Sequence, residues 1–231
     1  MDAVNGAAAN DLSPRDPDRS GKPLSAAQNE QALSPRVDVA PQAKQGVEGA
    51  SVPRLLQVVG FKNSGKTTLT EKLLRLAAAR GLRASAIKHH GHGGAPDLPP
   101  AGTDASRFFE AGAASSLVSG GGIVLLQGRQ AGEAGGELAA LISLSAAYAR
   151  PDLILIEGFK EERHDKIVLV RSEEDWPGLR GLANIRLVAA AGRELAARLP
   201  RGGAPVLARE EDEAVADWFA NWLEGESDES L

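Results

Sequence analysis

Short apolar runs alternate with longer amphipathic stretches from residue 54 onward. Leu55–Val59 and Leu153–Ile156 are mainly apolar, which is typical of strands that are buried on both faces. Between them, Thr67–Arg80 repeats leucine and alanine at helical spacing, and Gly81 follows as a stop signal. This alternation predicts an α/β protein with a mostly parallel sheet flanked by helices.

The same patterns predict four helices and seven short strands. The predicted helices are 67–80, 103–111, 137–149 and 212–223, and the predicted strands are 55–59, 83–88, 117–118, 123–126, 153–156, 167–170 and 187–191. Three glycines at 120–122 separate two of these strands and favour a hairpin. The last helix carries Trp218, Phe219 and Trp222 on one stripe, which predicts core packing, whereas Trp176 precedes Pro-Gly and predicts a loop.

Composition divides the chain into three parts. Residues 1–53 hold six prolines, no aromatic residue and no apolar period, so we expect a disordered tail. Residues 54–224 carry the alternating pattern and form the predicted folded domain. The acidic end, 225–231, is expected to fray.

Charge and residue usage exclude several classes of protein. The net charge is −5, so we expect no nucleic-acid partner and no anionic membrane surface. Because the chain has no cysteine, disulfides, thiolate metal sites and thiol nucleophiles are excluded. There is no apolar run long enough for a membrane span and no signal-peptide pattern, and we predict a cytoplasmic protein.

One segment matches the phosphate-loop pattern G-x-x-x-x-G-K-[ST] in full. It consists of Gly60, Phe61, Lys62, Asn63, Ser64, Gly65, Lys66 and Thr67. In this pattern backbone N–H groups surround a phosphate, the lysine meets the β- and γ-phosphates, and the hydroxyl ligates Mg²⁺. A predicted strand enters the segment and a predicted helix leaves it, whose positive end favours the same anion.

Acidic side chains supply candidate metal ligands. Glu157 follows a buried strand, at the end where parallel sheets bind ligands, and it is predicted to hold Mg²⁺ or orient a nucleophile. Lys66 and Glu157 are therefore the candidate catalytic residues. Asp104 begins a predicted helix, where it either complements the helix dipole or serves near the magnesium ion.

The segment after the second strand, Lys88-His89-His90-Gly91-His92, has two interpretations. Three histidines in four residues suggest a transition-metal site, although close histidines converge on one ion only through a sharp turn. The alternative is a loop over the phosphate site, in which Lys88 and the imidazoles meet anionic groups. The guanine-reading pattern [NT]-K-x-D does not occur, and D-x-x-G occurs only late, at Asp175–Gly178, which we attribute to chance. The residues alone thus indicate a magnesium-dependent nucleotide-binding domain and do not choose between ATP and GTP.

Several segments together resemble the molybdopterin-guanine dinucleotide biosynthesis adaptor protein family, MobB. They are VVGFKNSGKTTLTEKLL, GLRASAIKHHGH, AGTDASRFFEAGA, PDLILIEGFK and DKIVLVR, in the order of the family. The phosphate loop is generic, whereas the I-K-H-x-x-H and I-E-G-F-K elements are specific. Together the segments cover about residues 55–171.

The resemblance implies a P-loop nucleoside triphosphate hydrolase fold of the SIMIBI type, GTP as ligand, and slow Mg²⁺-dependent hydrolysis. It implies a homodimeric partner of the guanylyltransferase that joins GMP to molybdopterin, with molybdopterin itself as a further ligand. By position it assigns nucleotide-binding roles to the phosphate loop and to Thr68, Lys88, His89, His92 and Lys160, and metal-binding roles to Thr67, Asp104 and Glu157.

The chain departs from the family pattern at several places, and two of them concern the predicted site. The family's G-K-D reads Gly102-Thr103-Asp104 here, so that a lysine is missing. After the strand at 187–191 the family tends to carry an aspartate near the base, and this chain has Gly192-Arg193. Two other classes remain open at this point: a metal-insertion GTPase that uses the three histidines for nickel or zinc, and a small-molecule kinase or ligase on the same fold.

Overall fold

A computed structural model describes residues 52–91, 96–129, 136–200 and 202–225, which lie within one compact unit, Glu48–Leu231. The strands are β1 Arg54–Gly60, β2 Ala84–Lys88, β3 Ser115–Gly120, β4 Ile123–Gly128, β5 Leu153–Glu157, β6 Asp165–Val170, β7 Ile185–Ala190 and β8 Val206–Ala208. The helices are α1 Lys66–Ala79, α2 Asp104–Glu110, α3 Glu137–Ala149, α4 Arg193–Arg198 and α5 Asp212–Glu224, with a 3-10 helix at Glu173–Gly178. The predicted tail lies outside the described residues except for residues 52 and 53, as does the predicted acidic end after residue 225.

Six strands form one sheet in the order β2-β5-β1-β6-β7-β8, and every pair in it is parallel. The predicted fold class, a mostly parallel sheet flanked by helices, is confirmed. Because all six strands run the same way, their carboxyl ends share one edge of the sheet. The segments that follow β1, β5, β6, β7 and β8 therefore meet at that edge, where open α/β sheets bind ligands.

Both faces of the sheet are covered by apolar side chains. On one face, α1 and α5 pack against alternate residues of the central strands, with Leu73, Phe219 and Trp222 among the buried side chains. The other face is covered by two clusters, one that includes Leu179 and Leu199 and one centred on α3. The predicted role of the tryptophan stripe in core packing is confirmed for α5.

The structure adds elements that the pattern did not predict. The helix α4 and the strand β8 were missed because each is short, three to six residues, and lacks a clear apolar period. The prediction of a loop at Trp176 is wrong: this residue lies in the 3-10 helix and packs beside Leu179. Apolar burial of the indole ring stabilises the turn in spite of the Pro-Gly signal that follows it.

The predicted hairpin forms a second, separate sheet. Among the described residues, strands β3 and β4 pair only with each other, in antiparallel orientation, and Leu117 lies opposite Leu126. Large apolar side chains on this ribbon are exposed, including Ile123 at 66%. In the described part of the chain, no helix is both long enough and apolar enough to cross a membrane.

Candidate functional site

The phosphate-loop segment turns sharply between β1 and α1. Asn63 and Gly65 adopt left-handed conformations, with φ of 59° and 85°, which bends the backbone around a concave centre. The ammonium of Lys66 closes this bend, because Nζ donates to the carbonyl oxygens of Gly60 at 3.1 Å and of Phe61 at 2.8 Å. The loop is thus folded into the shape that cradles an anion.

Three side chains meet beside this loop at the end of β5. The Thr67 hydroxyl donates to Glu157 Oε1 at 3.2 Å and to Oε2 at 3.0 Å. Lys88 Nζ lies 3.3 Å from Glu157 Oε1 and 3.4 Å from the hydroxyl of Thr67. In the parallel ladder Lys88 stands opposite Glu157, so adjacent strand ends bring the three together. Glu157 is a buried residue, whereas Thr67 and Lys88 are exposed residues.

Positive charge is concentrated around the loop. Burial lowers the pKa of Lys66, and the neighbouring cations Lys88 and Arg171 lower it further, while Glu157 raises it. A cationic group held among other cations is stabilised when an anion enters, because the anion offsets their mutual repulsion. This electrostatic arrangement favours a polyanion such as a phosphate chain.

The turn after β5 is fixed from two sides. Gln57, buried in the middle of β1, donates from Nε2 to the carbonyls of Gly158 at 3.1 Å and of Phe159 at 2.8 Å. The ring of Phe159 packs against His89 with 4.6 Å between centroids. Gly158 adopts φ of 99°, and a Cβ there would lie 2.8 Å from the Cβ of His89. Sequence reasoning missed Gln57, whose signal is a polar residue inside an otherwise apolar strand.

Other predicted site residues lie apart from these contacts. Asp104 pairs with Arg107 at 3.7 Å, and among the described residues no hydrogen bond or ion pair joins it to Thr67 or Glu157. Lys160 pairs with Glu161 at 3.7 Å. The roles that the resemblance assigns to Asp104 and Lys160 remain predictions.

The remaining loop and histidine positions differ in what the structure describes. His89 is described, whereas His92 lies outside the described residues. Ser64 is buried, with its hydroxyl lacking a hydrogen-bond partner among the described residues, and Lys62 and Thr68 are exposed. The buried hydroxyl of Ser64 therefore leaves an unsatisfied polar atom under the loop.

Two arginines contact backbone carbonyl groups of the loop, and sequence reasoning missed both. Arg171 follows β6 and donates from Nη1 to the carbonyl of Lys62 at 2.9 Å. Arg209 follows β8 and donates from Nη1 to the carbonyl of Ser64. Arg171 is the last residue of the family-like segment DKIVLVR, in which no pattern marks it, and Arg209 has no sequence signal.

An open cavity of about 650 Å³ lies next to the loop at the ends of β6 and β7. Its lining includes Arg171, Gly192, Arg193 and Glu210. Glu210 comes from the turn between β8 and α5, and its Oε1 accepts a hydrogen bond from the backbone N–H of Arg193 at 3.3 Å. Both carboxylate oxygens lie 3.9 Å from the point where a Cβ on Gly192 would be. The fold thus brings a carboxylate to the place where the sequence shows only Gly192-Arg193.

The family model for molybdopterin guanine dinucleotide synthesis protein B, MobB, matches residues 55–191, which is more than half of the chain. The chain belongs to the MobB family. A probable molybdopterin-guanine dinucleotide biosynthesis adapter protein of Bacillus subtilis is 37% identical over 173 residues, which cover 75% of this chain and 95% of that protein. The Escherichia coli adapter protein is 37% identical over 123 residues, which cover 53% of this chain and 69% of the relative.

Solved MobB structures share the fold. The crystal structure of Bacillus subtilis MobB aligns with a TM-score of 0.64 at 34% identity, over 75% of this chain and 99% of that one. A MobB homologue from Bacillus stearothermophilus aligns with a TM-score of 0.57 at 36% identity, over 74% and 98% of the two chains. The resemblance stated from the sequence segments is confirmed, and so is the P-loop fold that it implied.

The oxygen atoms of Thr67 and Glu157 suit Mg²⁺, which prefers hard oxygen ligands. At nucleotide sites this ion takes one or two protein oxygens and completes its octahedron with phosphate and water. Within the described ranges, no group of three or more His, Asp or Glu side chains could hold a metal ion. The two oxygen donors therefore fit magnesium. The nickel or zinc interpretation needs His92, which lies outside the described residues.

Proposed function

We propose that this MobB-family protein binds GTP with Mg²⁺, hydrolyses it slowly, and acts as an accessory protein in the synthesis of molybdopterin guanine dinucleotide. The observation that carries the proposal is the folded phosphate loop with Lys66 at its centre and the Thr67–Glu157 pair at its side. The printed function of the Bacillus subtilis and Escherichia coli relatives supports the biosynthetic role.

Several residues contribute to phosphate binding, each in a different way. The loop amides and Lys66 bind the phosphate oxygens, and Lys88 adds a second cation at the open side. Thr67 and Glu157 would hold Mg²⁺, which neutralises charge on the transferred phosphoryl group when bound. The alternative role of Glu157 is to orient the attacking water. Catalysis in this arrangement is electrostatic, so slow turnover is expected without a further cation from a partner.

The cavity beside the loop suits a nucleoside base, and Glu210 favours guanine. The Watson–Crick edge of guanine presents two N–H donors side by side, which a carboxylate accepts together. Adenine presents one donor next to an acceptor, which would face the carboxylate unfavourably. The Arg193 N–H bond holds Glu210 toward the cavity wall, which makes it the carboxylate that we assign to base recognition.

The proposal includes partners that the family implies. We infer a homodimer that works beside the guanylyltransferase and receives molybdopterin or its nucleotide product. The exposed apolar side chains of the β3–β4 ribbon support an interaction surface, since isolated two-stranded sheets gain stability by packing. Light scattering coupled to size-exclusion chromatography measures the dimer directly, and a monomer at micromolar concentration would contradict it.

Calorimetric titration with GTP and ATP, each with and without Mg²⁺, tests the central claim. We expect GTP to bind with Mg²⁺ and to be preferred over ATP, and the preference to fall in Glu210→Gln. Glu213→Gln, a change in the first turn of α5, is the matched control. Absence of measurable GTP affinity would overturn the proposal, whereas equal affinity for both nucleotides would overturn the role of Glu210.

A further inference from the structure

The carbonyl groups of the phosphate loop are held by residues that come from other strands. Lys62 O accepts from Arg171, one residue after β6, and Ser64 O accepts from Arg209, one residue after β8. Within the loop itself, the bond from Ser64 N to Phe61 O is long, at 3.3 Å. The shape of the loop is therefore held by these outside contacts together with the bonds from Lys66 to Gly60 and Phe61.

Arg171 is fixed on several sides. The buried carboxylate of Asp175 accepts from its backbone N–H at 3.0 Å, from Nε at 2.8 Å and from Nη2 at 2.7 Å. The ring of Phe61 lies under the guanidinium, with Cζ 5.6 Å from the centroid. The remaining Nη1 donor points to Lys62 O. A guanidinium held this firmly loses little conformational entropy when it positions a backbone group.

Arg209 reaches the loop independently. Its backbone N–H donates to Ala190 O at 2.9 Å, which ties it to the end of β7. Its guanidinium lies against Gly65, where a Cβ would collide with Nη1. A glycine at this position therefore serves the approach of the arginine as well as the left-handed turn.

Because a trans peptide is planar, a contact that fixes a carbonyl group also fixes the direction of the next amide N–H. In such a peptide the C=O of one residue and the N–H of the next point in opposite directions. Because the carbonyl of Lys62 points toward Arg171, the N–H of Asn63 points away from that arginine. In the same way, the N–H of Gly65 points away from Arg209.

We propose that Arg171, held by Asp175, and Arg209 are positioning residues that fix the phosphate loop in its anion-binding shape before any ligand arrives. This inference rests on the proposed nucleotide binding. It means that residues at the ends of β6 and β8 contribute to the affinity for phosphate. Both arginines act through the loop carbonyls, so we expect their loss to weaken binding of a phosphate ligand that has no base as well as binding of GTP. Preorganised donors bind more tightly because ordering has been completed during folding.

The test compares full-length variants by calorimetry with inorganic pyrophosphate and with Mg²⁺–GTP, well below their melting temperatures. The variants are Arg171→Lys, Arg209→Lys and Asp175→Asn. The control is Arg186→Lys, since Arg186 also pairs with an aspartate, Asp165 at 2.9 Å, and has a similarly half-exposed side chain. We expect each of the three variants to bind both ligands at least about tenfold more weakly, and the control to stay within about twofold.

Hydrogen exchange separates positioning from folding. We expect the peptide that spans residues 61–66 to exchange faster in the three variants while the strands of the sheet keep their protection. A lower melting temperature with unchanged affinity and unchanged loop exchange would overturn the inference and leave a merely structural role. If the unmodified protein binds pyrophosphate and Mg²⁺–GTP and the variants bind them equally well, the inference alone fails. If the unmodified protein binds neither, the proposed function fails and the inference with it.

Discussion

The hydroxyl of Thr67 donates to both carboxylate oxygens of Glu157, at 3.2 and 3.0 Å, although 90 positions separate the two residues. The contact joins the first turn of α1 to the end of β5. It arises because β1, which leads into the loop, lies next to β5 and parallel to it. The Thr67 hydroxyl and the Glu157 carboxylate, which are predicted to hold magnesium, therefore lie side by side at the edge of the sheet.

Replacing Glu157 tests the charge at this place. Glu157→Gln keeps the size and the hydrogen-bond acceptor but removes the anion that faces Lys88 and Thr67. We expect Mg²⁺-dependent GTP turnover to fall by about tenfold or more, and Mg²⁺-free nucleotide binding to change far less. Single-turnover phosphate release measures the first quantity and calorimetry the second. Glu71→Gln on the exposed side of α1 is the control, and equal turnover in both variants would contradict the assignment.

Lys66→Ala separates binding from stability. The ammonium bonds to two loop carbonyls at a half-buried position, and its pKa is lowered mainly by burial, so it adds little to the stability of the ligand-free fold. We expect nucleotide binding to be lost and the melting temperature without ligand to change little. Lys72→Ala, which breaks the surface pair with Asp212, is the control. A large fall in the ligand-free melting temperature would show that Lys66 is structural.

Gly158→Ala should destabilise the turn after β5. The new Cβ combines a left-handed backbone, φ of 99°, with a contact of 2.8 Å to the Cβ of His89. We expect a loss of about 2 to 4 kcal/mol in the free energy of unfolding. Gly102→Ala is the matched control, because its φ is 88° and nothing lies within 4 Å of its Cβ position, so only about 1 kcal/mol is expected. Urea denaturation measures both, and equal losses would contradict the steric argument.

The Arg171–Asp175 pair should make stability depend on pH at the acidic end. Hydrogen bonds from Arg171 hold the pKa of Asp175 below its usual range. A carboxyl whose pKa is lower in the folded state stabilises above its unfolded value, near 3.9, and loses that contribution as pH falls through the folded value. We expect the stability gap between the unmodified protein and Asp175→Asn to be constant from about pH 7 to about pH 5 and to narrow below about pH 4. Urea midpoints across this range measure the gap, and an unchanged gap at about pH 3 would show that the pair adds no such dependence.

The strongest local sequence patterns were sufficient to predict most of the secondary structure. The run that leads to Glu157 has apolar neighbours on both faces, and α3 was predicted with its observed bounds, Glu137–Ala149. Local patterns do not predict the burial of Lys166. This lysine is fully buried inside β6, where its ammonium donates to the carbonyls of Glu162 and His164. Burial lowers the pKa of this lysine, and its partners depend on a loop whose course no period reveals.

By itself, the sequence determined the phosphate loop, the strand and helix around it, and the family, because these depend on residue types at fixed short spacings. Tertiary structure alone decided which distant side chains complete the site. Arg171, Arg209 and Glu210 reach the loop or its neighbouring cavity because parallel strands bring their carboxyl ends to one edge. The order of the strands decides which side chains come together at this edge. That order follows from the packing of both sheet faces rather than from any local pattern.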